Sequence, residues 1–268
     1  MRGAGRGARG RVTAMDHVIV ITGASAGIGA ALADECARRG ARLILAARRP
    51  EPLAEVAGRT GGLAVPTDVT RRADVEALAA AALAHAGRID VWVNNAGRGI
   101  SRPVSELTDD DLDEMILVNV KSALYGVQAV LPHFKARGAG HLINVSSMLG
   151  RVPFAPIRSA YSAAKHALNS LTANLRMELA ADFPAIHVTT VLPGVVATDF
   201  GKNARHGGFD SRSLPTAQPV DEVARVIADV IERPQAEVYT RPEMQKLAAA
   251  YYGADDIGAA ERRPPFTR

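Results

Sequence analysis

The chain has 268 residues, of which 47% are hydrophobic and 22% are charged, which suits one folded α/β domain and excludes a largely disordered chain. No apolar run approaches the roughly 18 residues that span a bilayer, so we expect no membrane span. Cys36 is the only cysteine, which excludes an internal disulfide and favours a reducing cytoplasm. The formal net charge of +4 comes from arginines near the two termini. The body of the chain therefore lacks the basic excess that nucleic acid binding requires.

The hydrophobic pattern alternates short, β-branched runs with longer stretches rich in alanine and leucine. This alternation predicts a doubly wound α/β fold, a parallel sheet of about seven strands with helices on both faces. Strands are predicted at 17–22, 42–47, 62–67, 90–95, 141–147, 186–193 and 237–240. Helices are predicted from the glycine-rich turn after the first strand to Arg39, and at 51–58, 71–86, 109–137, 159–181 and 220–233.

Three segments lie outside this regular pattern. Residues 1–14, rich in arginine and glycine, are expected to form a disordered basic tail, with weak RNA binding as the alternative. A single domain is expected at 15–258, followed by a C-terminal tail at 259–268. Within the domain, residues 196–218, the flap segment, follow the sixth strand at the edge where open α/β sheets bind ligands. We interpret this segment as a mobile flap over a substrate or as an ordinary surface loop.

The sequence TGASAGIG at 22–29 joins the first strand to the first helix. Gly23, Gly27 and Gly29 leave room for a sharp turn and for a pyrophosphate, and the amides at the start of a helix face an anion. A glycine-rich turn by itself is also typical of strand–helix connections that need a positive φ. Its position at the start of an α/β chain favours a nucleotide-binding turn.

The end of the second strand bears on which nucleotide would bind. An acid at this point would bind the ribose 2′-hydroxyl of NAD, but the chain has Ala47 there, followed by Arg48 and Arg49. A guanidinium binds a 2′-phosphate through paired, charge-assisted hydrogen bonds. The sequence therefore favours NADP over NAD, with two arginines that only end a surface strand as the alternative.

Two further strand ends extend the expected cofactor site. Asp68 and Val69 end the third strand, where they would hold an adenine ring. The sequence NNAG at 94–97 ends the fourth strand, and the small Ala96 and Gly97 would let the backbone come close to a cofactor. In isolation, NNAG is an ordinary turn sequence.

Tyr161 and Lys165 in YSAAK are four residues apart, so they lie on one face of the helix predicted at 159–181. A free phenol has a pKa near 10, too high for ready proton exchange at neutral pH. An ammonium and an oxidised nicotinamide beside it would lower that pKa by about two to three units, a differential interaction of roughly 3–4 kcal/mol. Tyr161 would then act as an acid in carbonyl reduction and as a base in alcohol oxidation. The alternative is a surface pair of the kind common on helices.

Two polar residues are expected beside this pair. Ser147 ends the fifth strand and would donate a hydrogen bond to the substrate oxygen. Because strand residues alternate in direction, Ser146 and Ser147 face opposite sides, and either serine could face the substrate. Asn119 is polar within an apolar helical segment. It is either a buried amide with satisfied hydrogen bonds or the holder of a water that links to Lys165.

Together these motifs and the Pro-Gly pair at 193–194 resemble the short-chain dehydrogenase/reductase family, in order, over residues 16–200. The resemblance implies a Rossmann-type fold and homodimers or homotetramers formed through the helices at 109–137 and 159–181. The family pattern SS-x-x-G favours Ser147 over Ser146. The catalytic tetrad that the resemblance implies is Asn119, Ser147, Tyr161 and Lys165.

The resemblance also extends the expected cofactor site. Family members that prefer NADP often have a basic residue in the glycine turn, where this chain has Ala26, so the preference rests on Arg48 and Arg49. Lys165 is implied to hold the nicotinamide ribose. The residues assigned to the cofactor are Gly23, Ser25, Ala26, Gly27, Ile28, Gly29, Arg48, Arg49, Asp68, Val69, Asn95, Ala96, Gly97, Tyr161, Lys165, Pro193, Gly194, Val195 and Thr198.

These features predict an NADP(H)-dependent oxidoreductase that interconverts a carbonyl and an alcohol of a small molecule. Two alternatives stay open: an epimerase or dehydratase of the same fold that recycles its cofactor, and a regulator that binds NADP without catalysis. The seven histidines are scattered, so no metal site is expected. An apolar substrate is favoured by Val152, Pro153, Phe154, Pro156, Ile157, Val196 and Phe200.

Overall fold

The computed structural model describes residues 15–265, so the expectations for residues 1–14 concern a segment outside this range. The strands are β1 Val18–Thr22, β2 Arg42–Ala47, β3 Leu63–Pro66, β4 Val91–Asn94, β5 Gly140–Val145, β6 Ile186–Leu192 and β7 Glu237–Tyr239. They form one sheet in the order β3-β2-β1-β4-β5-β6-β7, and every neighbouring pair is parallel. The predicted doubly wound, seven-stranded sheet is confirmed.

Helices cover both faces of this sheet. Those predicted from the sequence all occur, whereas the last two lie in a stretch without a predicted element. The helices are α1 Gly27–Arg38, α2 Pro50–Thr60, α3 Arg72–Ala86, α4 Asp109–Ile116, α5 Ser122–Arg137, α6 Ser159–Leu179, α7 Val220–Glu232, α8 Pro242–Tyr252 and α9 Ile257–Glu261.

Alternate residues of the central strands face opposite sides of the sheet, which produces two hydrophobic cores. In β1, Ile19 and Ile21 pack with α1, α2 and α7, whereas Val18 and Val20 pack with α3, α5 and α6. All four side chains are fully buried. Coverage of both faces explains why this strand is an uninterrupted apolar run in the sequence.

The helix expected at 109–137 is one continuous run of three parts: α4, a π-helical segment Leu117–Lys121, and α5. By length and composition alone this run could cross a membrane, contrary to the expectation from sequence, but core helices meet the same criteria. The run packs against α3 and α6, and 39% of its most apolar window is buried. Its length and hydropathy therefore carry little weight for a membrane location.

The C-terminal helices are attached through two tyrosines of α8. Tyr251 Oη donates to Glu261 Oε1 (2.8 Å), and Tyr252 Oη donates to the Arg151 carbonyl (2.7 Å). Helix α9 extends to Glu261, so the chain stays helical beyond the domain end expected at residue 258.

Candidate active site

The predicted site residues lie at one edge of the sheet, where the C-terminal ends of the parallel strands meet. β1 leads into the glycine turn, β4 into residues 95–97, β5 into Ser146 and Ser147, and β6 into Pro193. The pairing of β1 with β4 and of β4 with β5 brings the first three of these segments side by side. The topology therefore assembles the site from distant parts of the chain.

The glycine turn has a backbone that side chains would obstruct. Gly23 and Gly27 have φ angles of 68° and 55°, in the left-handed region. A Cβ on Gly29 would lie 2.6 Å from Asn95 Nδ2 and closer still to the Gly23 carbonyl oxygen. Asn95 Nδ2 also donates to the Thr22 carbonyl (2.9 Å), so the segment after β4 braces the turn.

The start of α1 has N–H donors without a side-chain partner. Its N-cap residue, Ala26, makes no side-chain hydrogen bond, and its first turn holds no acid. The start of α4 shows the usual alternative, in which Thr108 and Asp111 form a reciprocal capping box. An uncapped helix start beside a turn with little side-chain bulk fits the pyrophosphate of a dinucleotide.

Arg48 and Arg49 follow β2 at the same edge, and both are exposed. Within residues 15–265, neither arginine forms an ion pair closer than 4 Å. Burial acts to raise the pKa of the Asp68 carboxyl, but hydrogen bonds from Thr70 and the charge of Arg48 hold that pKa below its usual value. Val69 beside it is buried. The edge thus offers unpaired guanidinium groups where a 2′-phosphate would fit.

The segment after β6 contacts the glycine turn. Thr198 Cγ2 lies 3.4 Å from the position that a Cβ on Gly27 would take. The Pro193 carbonyl accepts a hydrogen bond from Met148 N (2.8 Å), which connects this segment to the one after β5. Ala26 and Gly97 are exposed. The other predicted residues of these segments are partly exposed: Ser25, Ile28, Asn95, Ala96, Gly194 and Val195.

Tyr161 and Lys165 lie one turn apart on α6, and both are buried. Lys165 Nζ is 5.6 Å from the centre of the Tyr161 ring and donates to the Val145 carbonyl (2.9 Å). The Ser147 side chain lies near enough to the Tyr161 phenol to act on its pKa, which it lowers. The alternative of an exposed surface pair is therefore wrong.

The two serines after β5 face different sides. Ser147 acts to lower the pKa of the Tyr161 phenol, and its Oγ accepts from Leu149 N (3.1 Å). Ser146 Oγ instead lies 3.5 Å from the Lys165 carbonyl oxygen. Ser147 therefore faces the phenol and Ser146 does not. Strand alternation allows only one of the two to face it.

Asn119 lies in the π-helical segment and is buried. Its Nδ2 donates to the carbonyls of Arg98 (3.0 Å) and Met115 (3.1 Å), and its Oδ1 accepts from Arg98 N (3.2 Å). A Cβ on Gly97 would lie 2.9 Å from Asn119 Oδ1 and 3.7 Å from Lys165 Nζ, so both side chains approach the same glycine. Asn119 is therefore a satisfied buried amide within the site, and its water link to Lys165 stays a prediction.

Comparison with known proteins identifies the family. A family model described as short chain dehydrogenase matches residues 17–207. The chain belongs to the short-chain dehydrogenase/reductase family. An uncharacterized oxidoreductase of Staphylococcus saprophyticus is 36% identical over 242 residues, which cover 87% of this chain and 98% of the relative.

Solved structures of short-chain dehydrogenases are similar over almost the whole chain. A short chain dehydrogenase/reductase from Burkholderia phymatum in complex with NAD has a TM-score of 0.83 at 26% identity, covering 94% of this chain and 97% of that one. A short-chain dehydrogenase from Sphingobium yanoikuyae in complex with NADPH has a TM-score of 0.77 at 30% identity, covering 94% and 98%. The protein is thus an oxidoreductase with a Rossmann-type fold. Within residues 15–265, no group of three or more His, Cys, Asp or Glu side chains is arranged to hold a metal ion.

Burial shifts the pKa values of both Tyr161 and Lys165. Burial raises the pKa of Tyr161 to about 12, although the nearby Ser147 side chain and the charge of Arg158 act in the opposite direction. Burial also lowers the pKa of Lys165 to about 7. Desolvation of the phenolate therefore raises the Tyr161 pKa in the protein without a nicotinamide. The lowering predicted beside an ammonium and an oxidised nicotinamide stays a prediction.

The prediction of an apolar wall beside the phenol is only partly correct. The Phe200 ring centre does lie 5.5 Å from that of Tyr161. Val152, in contrast, is fully buried and packs with Ala248 of α8. Val196 packs into the core beneath α1 and α7. These two valines stabilise the fold and do not line the site.

Arg158, whose charge acts on the Tyr161 phenol, and Phe209, whose ring lies against Arg158, carry no site prediction from sequence. Arg158 immediately precedes α6; its Nη1 donates to the Ile100 carbonyl (3.0 Å), and its Cζ lies 5.5 Å from the centre of the Phe209 ring. The spacing of three residues from Arg158 to Tyr161 is a signal that could have found the arginine. Phe209 lies far from Arg158 in the sequence, so no local pattern could have predicted that the two residues are in contact.

The flap segment is attached to the domain by charged groups. Asp111 of α4 is fully buried, forms an ion pair with Arg205, and accepts a hydrogen bond from His206 Nε2 (2.7 Å). Burial acts to raise the pKa of Asp111, but hydrogen bonds from His206, the Thr108 backbone and Arg205 hold it well below its usual value. Opening of the flap segment would separate these charges. Its mobility stays a prediction.

Proposed function

We propose that the protein is an NADP(H)-dependent oxidoreductase that interconverts a ketone or aldehyde and the corresponding alcohol on a small molecule with an apolar body. The observation that carries the proposal is the arrangement around Tyr161, which is buried with Ser147 beside its phenol and Lys165 one turn away on α6. The relatives named oxidoreductases support the reaction class. The solved neighbours in complex with NAD or NADPH support a nicotinamide cofactor.

The cofactor would lie along the sheet edge from β3 to β6. The uncapped start of α1 would bind the pyrophosphate, with Asn95 bracing the glycine turn from behind. When bound, the nicotinamide supplies a hydride in reduction or accepts one in oxidation. The adenosine half would contact Arg48, Arg49, Asp68 and Val69, and the nicotinamide half would contact Lys165, Pro193, Gly194, Val195 and Thr198.

The side chains of the site would manage the proton. In reduction, Ser147 donates a hydrogen bond to the substrate oxygen, and Tyr161 transfers its proton to that oxygen as the carbonyl carbon accepts a hydride. One hydride and one proton convert C=O into CH–OH, and solvent returns a proton to the phenolate. Lys165, whose pKa burial lowers to about 7, favours its ammonium form as negative charge develops on Tyr161. Asn119 positions the backbone beside Lys165.

The preference for NADP is proposed from Arg48 and Arg49. Both guanidinium groups are exposed and follow a strand end that has no acid to bind a 2′-hydroxyl. A 2′-phosphate would give these groups an anionic partner. Since related structures hold either NAD or NADPH, the two arginines are the features of this chain on which the preference depends.

We also propose a homodimer or homotetramer formed through the α4–α5 run and α6. Large apolar side chains stay exposed on these neighbouring helices: Leu112 of α4, and Leu171 and Met177 of α6. Such an oligomer would cover exposed apolar side chains of this kind. A reducing compartment, the cytoplasm, is proposed because Cys36 is buried and unpaired.

The decisive experiment follows the absorbance of reduced nicotinamide. Purified protein is mixed with aldehydes and ketones that have apolar bodies, using NADPH and NADH in parallel and Tyr161→Phe as the control. Consumption of NADPH faster than NADH, lost by about 100- to 10,000-fold in the variant, is the expected result. Binding of NADPH without turnover in either direction would contradict the redox proposal.

A further inference from the structure

Arg158 is a cation with little solvent exposure and no carboxylate partner in the described chain. Only 7% of the residue surface is exposed. Its Nη1 donates to the Ile100 carbonyl (3.0 Å), its Cζ lies over the Phe209 ring, and it forms no ion pair with an acid in residues 15–265. A guanidinium has five N–H donors, so most of these donors lack a protein acceptor.

Arg39 shows how the same protein surrounds another largely buried guanidinium. Its side chain is 9% exposed, and it forms ion pairs with three carboxylates: Glu35 (2.8 Å), Asp229 (2.7 Å) and Glu232 (3.0 Å). Buried charges are ordinarily paired, because the desolvation penalty is otherwise uncompensated. Arg39 has carboxylate partners within the fold, whereas Arg158 has none within residues 15–265.

The Arg158 guanidinium lies at the wall of the candidate active site. A Cβ on Gly99 would lie 3.3 Å from Arg158 Nη1 and 2.9 Å from Phe200 Cε1, so the guanidinium and the Phe200 ring meet at one glycine. The Phe200 ring in turn stacks at a tilt on Tyr161, with centres 5.5 Å apart. Phe200 and Phe209 are both partly exposed, at 37% and 44%. This corner therefore combines the Arg158 cation with two accessible aromatic rings, of which Phe200 lies beside the phenol and Phe209 beside the guanidinium.

We propose that Arg158 binds a carboxylate of the substrate, so that the protein acts on oxo acids and hydroxy acids with an apolar body. The inference rests on the proposed function and names its substrate class. A planar guanidinium matches the two oxygens of a carboxylate, and its single charge neutralises a monoanion. A phosphate dianion would keep an uncompensated charge at this buried position. Phe200 and Phe209 flank the apolar body beside the carboxylate.

The test compares oxo acids with their neutral methyl esters. The probes are benzoylformate, 3-benzoylpropionate and 4-benzoylbutyrate, which differ in the spacing between carbonyl and carboxylate, each paired with its methyl ester. The wild-type protein is expected to have a higher kcat/KM for at least one acid than for its ester. Equal or better turnover of all three esters would overturn the proposal without any variant.

Variants of Arg158 isolate the guanidinium. Arg158→Gln is expected to lower kcat/KM for the preferred acid by at least about 30-fold, because a truncated charge pair costs that much or more, and to change the ester rate by only a few fold. Arg158→Lys keeps the charge but not the planar fork, so its kcat/KM for the acid is expected to lie between the values of wild type and Arg158→Gln. It replaces Arg158→Gln as the test if that variant does not fold. Arg225→Gln, at an exposed site on α7, is the matched control. Equal losses on acid and ester would mean that Arg158 acts on Tyr161, and would overturn the proposal.

A binding measurement separates this inference from the proposed function. Calorimetric titration of 4-phenylbutyrate and of 4-phenylbutanol, with NADP present, requires no turnover. Tighter binding of the acid to wild type, lost in Arg158→Gln, would support the carboxylate subsite even if no carbonyl is reduced. Equal binding of the acid to wild type and variant would overturn the subsite even if Tyr161-dependent turnover is found.

Discussion

Replacing Gly29 with alanine is expected to raise the dissociation constant for NADPH by about 10- to 150-fold. The added Cβ would lie 2.6 Å from Asn95 Nδ2 and closer still to the Gly23 carbonyl oxygen, whereas non-bonded heavy atoms ordinarily approach to about 3.5 Å. The turn must therefore move by roughly 1 Å to admit the methyl group. If the turn binds the pyrophosphate as proposed, such a shift would remove at least one backbone N–H contact to it, and a hydrogen bond to a charged group contributes about 1.5–3 kcal/mol.

Fluorescence of the reduced nicotinamide during titration measures this dissociation constant. Gly58→Ala is the matched control, because Gly58 lies in α2 with no atom within 4 Å of an added Cβ. That control is expected to bind NADPH normally and to gain about 0.5–1 kcal/mol of stability. Melting followed by circular dichroism checks that both variants fold. Wild-type affinity in folded Gly29→Ala would refute the assignment of this turn to the cofactor.

Further predictions concern the nucleotide, the buried lysine and the assembly. Substitution of Arg48 and Arg49 by alanine is expected to lower kcat/KM for NADPH by about 10- to 150-fold and to leave kcat/KM for NADH nearly unchanged. Rates measured in parallel with the two nucleotides test this. An equal loss with both nucleotides would contradict the role of these arginines in 2′-phosphate binding. Burial lowers the pKa of Lys165 from 10.5 to about 7, so the unfolded chain holds an extra proton between these values, and the free energy of unfolding is expected to rise with pH from about 7 to about 10. Denaturant titrations at several pH values check this rise, and Lys165→Met should flatten it. Above pH 10 the free energy of unfolding is expected to fall with pH, because the Tyr161 pKa is raised in the folded protein and the unfolded phenol loses its proton first. Met177→Asp on the exposed face of α6 is expected to shift the mass measured by light scattering towards the monomer, and an unchanged mass would place the interface elsewhere.

Much of the fold and the site motifs could be predicted because their signals are local. A strand buried on both faces is a short apolar run, and all seven observed strands end within two residues of the predicted ends. The spacing of Tyr161 and Lys165 fixes their common helix face whatever the rest of the chain does. The chain order of the motifs then determines the edge at which they meet, since parallel strands share one C-terminal edge.

Features that depend on contacts between distant segments could not be predicted. The sign of the Tyr161 pKa shift follows from how deeply α6 is covered, which no local pattern encodes. The sequence assigns Val152 to an apolar wall, whereas in the structure α8 packs over it. The partner of an arginine is equally non-local. Arg39 forms ion pairs with acids of α7, whereas Arg158, within residues 15–265, contacts a carbonyl and an aromatic ring and forms no ion pair.

The π-helical segment Leu117–Lys121 joins two half-helices whose faces have different tasks. α4 presents Asp111 to the flap segment, and α5 packs against α3. A π turn holds one residue more than an α turn, and each residue of an α-helix turns the chain by about 100°. Loss of a single residue here would therefore swing Asp111 by roughly 100° relative to α5 and withdraw Asn119 from Gly97. The length of this helix is under tighter constraint than its composition, and a one-residue deletion should be more damaging than most substitutions along it.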